Sequence, residues 1–391
     1  MVGVKFAKML LLSLCCVIGA CDEGSGDKGS GGDGDSQAQV EQLAVTRAFK
    51  MGFTPWPFEA TLDAVNTTYT LIQENGDIVA HHLTEGIPWE EALNRTAYPT
   101  RLNQEIDGRV SQTMTGKSVY LAIDSLSSLR QTMVGNWGEN GQESRTAPWD
   151  TRSFADPEVI AAFTNFALDM IARFDTTYFN YATEANELFS RDPDAFNDFV
   201  VFARGVYTNI KRQHPDLPIM ISIALKSPDA LETSAFVTQF ARIAEYVDVV
   251  GISAYPYAFY SSEDGSSPDS LPADWLSQIK SIAPNKPLAI TETGWLAEDL
   301  VLPRFGISVS SNDAMQRDYV EKMLEEAQGL GVEFVVWFTV VDFDALWNGV
   351  LGQADLPSIW RDTGLYDQTL RPRAALDTWQ EWLSRPQTAT E

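Results

Sequence analysis

Two apolar runs in this chain end in glutamate: Tyr178-Phe-Asn-Tyr-Ala-Thr-Glu-Ala-Asn186-Glu187 and Leu288-Ala-Ile-Thr-Glu292-Thr-Gly-Trp295. Burying an unpaired carboxylate is costly, so a strand that finishes in one needs a reason. A pair of them, Glu187 and Glu292, fits acid–base chemistry at one substrate. Hydrolysis of a glycosidic bond with retention uses one carboxylic acid to protonate the leaving oxygen and one carboxylate to attack the anomeric carbon. The two groups then sit about 5–5.5 Å apart, against about 6.5–9.5 Å for inversion. Burial and mutual repulsion raise the pKa of one and keep it an acid near neutrality.

Such a pair needs elements that bring distant strand ends to one mouth. Strand-like runs lie near 49–53, 77–83, 118–124, 178–185, 219–225, 247–254, 287–291 and 333–340. Many are rich in Val, Ile, Ala and aromatics without clean alternation, as in strands covered on both faces. Helical runs separate them. Asp156-Pro157 and Asp192-Pro193 are start signals, and Ile160, Phe163, Ala167, Met170, Ile171 and Phe174 make one apolar stripe. A third helix, near 312–328, stops at Gly329 and Gly331. This alternation predicts an α/β chain folded as a single (β/α)8 TIM barrel over residues 44–385, with a short tail at 386–391. A doubly wound sheet is the rival, but no Gly-rich phosphate fingerprint follows the first strand. The long connection from Ser125 to Ala155 carries Asn136-Trp137-Gly138 and Trp149, and loops after strands build the active face of a barrel.

An Asn-Glu pair at the end of strand four and a Glu at the end of strand seven resemble the clan A glycoside hydrolases, which are retaining (β/α)8 barrels. The resemblance implies Glu187 as acid/base, Glu292 as nucleophile and Asn186 as a partner of the sugar 2-hydroxyl. Val249-Val-Gly-Ile-Ser-Ala-Tyr-Pro256 and Thr291-Glu-Thr-Gly-Trp295 are similar to the family 53 endo-β-1,4-galactanases, and Glu-Thr-Gly-Trp also occurs in family 17 β-1,3-glucanases. Family 53 has an arginine-rich second strand, where this chain has Asp77-Ile-Val-Ala-His81-His82-Leu; another group must then hold the nucleophile. The His pair followed by Gly86-Ile-Pro-Trp89 loosely resembles the family 10 xylanases.

Around the glutamates, alternation sends one of His81 and His82 into the mouth and the other toward a helix, and His82 is the expected substrate contact. Asp124, ending strand three, is a further polar candidate. Tyr255, Trp295, Trp337, Trp89 and Trp56 lie at or beyond strand ends, where aromatic faces can stack on pyranose rings. Each is equally able to be a core residue. No metal site is expected, because beyond this pair only His214 remains and no cluster has zinc spacing. No cofactor is expected either.

The 391 residues are 44% hydrophobic and 11% aromatic, enough for a large core, and the formal charge of −26 argues against a nucleic-acid partner. Lys5 and Lys8 precede an apolar run from Met9 to Ala20 that is too short for a membrane span. Val17-Ile18-Gly19-Ala20-Cys21 resembles the bacterial lipobox, which implies a signal peptide over 1–20, lipidation of Cys21 and a membrane anchor. Residues 21–43 read as a Gly/Ser/Asp-rich tether. All three cysteines, Cys15, Cys16 and Cys21, fall before the barrel, so no disulfide is expected in it.

The expectation is therefore a monomeric, lipid-anchored protein of the bacterial cell envelope that cleaves β-glycosidic bonds within a galactan-, xylan- or glucan-like polysaccharide. The alternatives are a non-catalytic carbohydrate-binding lipoprotein on the same barrel, or a transglycosylase using the same glutamates.

Overall fold

The computed structural model describes residues 46–388. The signal peptide, Cys21 and the tether expected before the barrel lie outside the described residues. Eight parallel strands close a barrel: β1 (Lys50–Phe53), β2 (Ile78–Leu83), β3 (Ser118–Ile123), β4 (Tyr178–Asn180), β5 (Ile219–Ala224), β6 (Val249–Ala254), β7 (Leu288–Thr293) and β8 (Phe334–Trp337). Each strand pairs with its sequence neighbours, and β8 returns to β1 with Lys50 opposite Phe334 and Phe53 opposite Trp337. The expected (β/α)8 barrel is the observed fold.

Alternation along the strands divides the apolar residues between two cores. Ile78, Ala80, Tyr120, Tyr178, Met220, Phe334 and Val336 fill the barrel interior. Val79, Leu121, Phe179, Ile221 and Val335 face outward into the layer shared with the helices. The interior is tight: a Cβ on Gly251 would lie 2.6 Å from Thr291 Cγ2 and 2.9 Å from Ser222 Cβ. Glycine is the residue that this layer accepts.

Helix ends follow the signals in the sequence. Asp156 accepts the Glu158 N–H at the start of Pro157–Phe174, and Asp192 accepts the Ala195 N–H at the start of Pro193–Lys211. Helix Asp313–Leu330 is capped by Asn312 and closed by Gly331 at φ 65°. The tail begins bonded rather than free: Arg47 N–H donates to Pro386 and Thr388 N–H to Arg47, joining the two ends of the barrel. The long connection after β3 forms a hairpin, Asn136–Gly138 against Gly141–Glu143, and buries Trp137 and Trp149. Its first turn delivers an arginine to the mouth.

Candidate active site

β4 leaves the ladder earlier than expected. The Asn180 side-chain oxygen accepts the Ala182 N–H at 2.9 Å, and its amide donates to the Tyr120 hydroxyl at 2.8 Å. Bonds to β5 continue from Tyr181 N–H to Met220 and from Ser222 N–H to Ala182. The chain then turns at Glu184, whose φ of 56° and ψ of 46° are left-handed. Its N–H is caught by Ser222 Oγ at 3.0 Å. A non-glycine residue in that region is uncommon and gathers at functional sites. Tyr178 and Asn180 point inward, so alternation carries Glu184 to the inner side of the rim.

Glu292 arrives by a different device. Between β6 and β7 the register passes from Ile252 opposite Ile290 to Ser253 opposite Glu292, a bulge of one residue. Bulges re-aim side chains beside active sites, and this one turns Glu292 to the mouth although Ala289 and Thr291 hold the inward parity. The Tyr255 hydroxyl donates to Glu292 Oε1 at 2.8 Å. Ser253, the register partner of Glu292, donates from its Oγ to Glu184 Oε1 at 2.8 Å. Ser253 therefore holds Glu184 from the strand position opposite Glu292, and both carboxylates are only partly buried.

Around this pair lies an ion network. Arg130 places Nη1 2.8 Å from Asp124 Oδ2 and Nε 3.2 Å from Glu184 Oε2. His82 Nε2 lies 3.2 Å from Asp124 Oδ1 and 3.0 Å from Thr183 Oγ1. Burial works against the charge on Asp124, but Arg130 and His82 outweigh it and hold the carboxyl below the usual carboxylate range. Burial likewise disfavours the imidazolium of His82, yet Asp124 and Glu292 raise its pKa above the ordinary value. For Glu292, burial and then the charge of Glu184 raise the pKa, while His82, the Tyr255 hydroxyl and Arg130 pull it down. The carboxylate that acts on Glu292 is Glu184.

Glu187, expected to fill that place, sits three residues on, within helix Ala185–Arg191. Its carboxylate is held by Arg191 at 3.0 Å and Lys226 at 3.2 Å and is only 11% exposed. Its neighbour Asn186 is also engaged: the amide donates to Ala224 O at 2.9 Å and the oxygen accepts Ala224 N–H at 2.8 Å. This pair clamps the helix to the end of β5. The early end of β4 is the physical reason for the displacement.

His82 faces the mouth as expected, whereas His81 is buried against Phe174 with Nε2 2.7 Å from Thr113 Oγ1. Burial and then the charge of Arg109 depress its pKa to about 3. Asp124 stands at the end of β3, with both oxygens facing cations rather than open space.

Of the aromatic candidates, Trp295, Trp337 and Trp89 are core residues. Their indole N–H groups donate to Ser311 Oγ, Thr363 O and Gly135 O, and all three are fully buried. Tyr255 and Trp56 stay near the mouth. With them come Trp360, edge-on to Tyr255 at 5.7 Å, and Phe338, 5.5 Å from Trp56. Phe338 continues the inward parity of Phe334 and Val336, which the neighbouring Trp337 does not share.

Two other features do not compete. Carboxylate oxygens of Glu298, Asp342 and Asp362 lie within 4.8 Å of one another, a spacing a metal could use, but Arg373 and Arg361 already sit on them. An open bowl of about 520 Å³ lined by Thr177, Tyr178, His214 and Leu217 lies where β4 and β5 begin. That is the opposite end of the barrel, and it brings no carboxylate pair.

No protein-family model matches the sequence, and no curated protein matches it. Solved structures do. An exo-β-1,4-mannosidase from Opitutaceae bacterium strain TAV5 aligns with a TM-score of 0.59 at 14% identity, over 89% of this chain and 61% of that one. A glutamate-to-alanine variant of a GH5_18 protein from Streptomyces cattleya, in complex with Manβ1-4GlcNAc, gives 0.58 at 16% identity, over 87% and 83%. The GH53 catalytic domain of Ignisphaera aggregans gives 0.53 at 15% identity, over 88% and 98%. At these identities the likeness is one of fold. The chain spans about three-fifths of the mannosidase and 52% of a β-D-glucuronidase of Dictyoglomus thermophilum.

Proposed function

We propose that this protein is a retaining glycoside hydrolase acting on β-linked sugars, with Glu184 as acid/base and Glu292 as nucleophile. The observation that carries this reading is the carboxylate pair at the ends of β4 and β7, with Ser253, the β6 residue in register with Glu292, bonded to Glu184. The names of the structural neighbours, a mannosidase, a glucuronidase and members of GH5 and GH53, support the same class. In the first step Glu292 attacks the anomeric carbon as the C–O bond to the leaving group breaks. Glu184 gives its proton to the departing oxygen, leaving a glycosyl ester on Glu292. In the second, Glu184 takes a proton from water, the water oxygen attacks the anomeric carbon, and Glu292 is released as carboxylate. Tyr255 orients Glu292 beforehand through its hydroxyl.

Cleavage within a polysaccharide chain loses its main support, since Trp295, Trp337 and Trp89 are core residues. What supports sugar stacking is the smaller wall of Trp56, Phe338 and Trp360. The N-terminal sequence supports anchoring through Cys21, and a Cys21→Ser form that stays in the membrane fraction would refute it.

The test is covalent trapping. 2,4-Dinitrophenyl 2-deoxy-2-fluoro-β-glycosides of the gluco, manno and galacto series should inactivate the protein and leave the sugar on Glu292, found by peptide mapping. A second reading, with the roles exchanged, is favoured by one contact, Arg130 on Glu184, and by the raised pKa of Glu292. It predicts the label on Glu184. No label with any of the three sugars and no turnover of their activated glycosides would leave the carbohydrate-binding alternative standing.

A further inference from the structure

We propose that Arg130 is the positioning residue of the acid/base: from the turn after β3 it fixes the Glu184 carboxylate, while Asp124, itself paired with His82, holds the guanidinium from behind. This rests on the reading of Glu184 and Glu292 as a glycosidase pair. The turn itself is unusual. It is closed by Arg130 N–H to Ser127 O at 2.7 Å and by Val134 N–H to Ser125 O at 2.9 Å. At its tip Leu129 is 56% exposed, while the Arg130 side chain is only 13% exposed. Turns ordinarily do the reverse, turning the charge to water and the apolar residue inward. Arg130 also adopts a left-handed φ of 56°. An exposed leucine and a left-handed arginine are both unfavourable, and the contact they allow is the one between Arg130 and Glu184.

That contact completes a three-point hold. The Glu184 N–H is fixed by Ser222, Oε1 by Ser253 and Oε2 by Arg130. A general acid gains most when its proton is aimed at the leaving oxygen in advance. The planar guanidinium suits the task, because one edge meets Asp124 while Nε meets Glu184, a span that a lysine ammonium does not reproduce. Asp124, itself 1% exposed and paired with His82, keeps the fork from following Glu184 when that carboxylate takes up its proton.

The consequence is selective. A glycoside with a poor leaving group depends on protonation by Glu184, and a 2,4-dinitrophenyl glycoside hardly does. kcat/KM is therefore measured for phenyl and 2,4-dinitrophenyl β-glycosides of whichever of glucose, mannose or galactose the wild type cleaves fastest. Arg130→Lys keeps the charge and loses the fork. The double variant Arg130→Gln with Asp124→Asn removes both buried charges, so neither is left unpaired, and thermal unfolding of both variants verifies the fold. The phenyl substrate should lose roughly 10²-fold, and the dinitrophenyl substrate less than about tenfold. Equal losses on both substrates, or none, would overturn the proposal and leave the hydrolase reading intact. A wild type that cleaves none of the dinitrophenyl glycosides would remove that reading first, and the role of Arg130 with it.

Discussion

Two clusters of acids lie on the same side of the barrel, and they are built to opposite ends. In the cluster beyond β7 and β8 every carboxylate has a guanidinium. Arg373 meets Glu298 at 2.9 Å, Asp313 at 2.6 Å and Asp342 as well, while Arg361 meets Asp362 at 2.6 Å and Asp344 at 3.5 Å. In the mouth, Asp124 and Glu184 share Arg130. Glu292 is the exception: among the described residues no Lys, Arg or His nitrogen is paired with it, and its partner is the neutral Tyr255 hydroxyl. A carboxylate bonded to a guanidinium is held in one geometry, although burial raises the pKa of Asp342 and Asp362 there too. Glu292 is half-buried, without a bonded cation and next to another carboxylate, which leaves its oxygens free to meet a substrate.

Breaking the pair in the mouth should have the largest effect. Glu292→Gln should lower kcat by at least about 10³-fold on any active aryl glycoside, because in the proposed mechanism Glu292 forms the glycosyl ester. Its melting temperature should stay level or rise, since one of two repelling charges is gone. Activity within tenfold of wild type would end the reading of Glu292 as nucleophile.

The other cluster should respond in the opposite way. Arg373→Gln leaves Asp342 buried without its cation, and unfolding in urea should show a loss of about 3–5 kcal/mol. Its kcat, measured well below the melting temperature, should change far less than in Glu292→Gln. If Arg373→Gln instead kept full stability and lost activity, the distinction between the clusters would fail.

Glu187→Gln sharpens the comparison within a single helix. It removes a largely buried carboxylate that Arg191 and Lys226 hold away from Glu292, so it should cost stability but less than about tenfold in kcat/KM. A loss matching that of Glu184→Gln would return the acid/base role to Glu187.

The proposed move of that role from Glu187 to Glu184 bears on what the sequence makes legible. All eight strands were readable from apolar runs, and the starts of helices Pro157–Phe174 and Pro193–Lys211 from Asp-Pro pairs. Alternation from Tyr178 through Asn180 also reaches Glu184, whereas the Asn-Glu pattern at 186–187 points three residues further on. The same parity separates inward Phe338 from core Trp337. Glu292 is the reverse case, because alternation from Ala289 and Thr291 turns it outward and only a bulge restores it. Its motif was informative where its periodicity was not. Arg130 left no trace of its role, since a loop has no period and an arginine beside Leu129 reads as a solvated charge.

The smallest effect should be the most specific. As the proposed nucleophile Glu292 must be ionised to attack, and burial together with the charge of Glu184 raises its pKa. A raised pKa means that the reactive form is lost as pH falls, and lost earlier than for an ordinary glutamate near 4.3. The acid limb of kcat/KM should therefore lie above that value. In Glu184→Gln the neighbouring charge is removed while burial stays, so the limb should move to lower pH. A 2,4-dinitrophenyl substrate makes this measurable, because its first step proceeds without the acid. Glu187→Gln, whose charge is already compensated by Arg191 and Lys226, should leave the limb where it is. If Glu184→Gln also left it unmoved, the two carboxylates would not be electrostatically coupled, and the mouth would differ from the arginine-bound cluster in geometry alone.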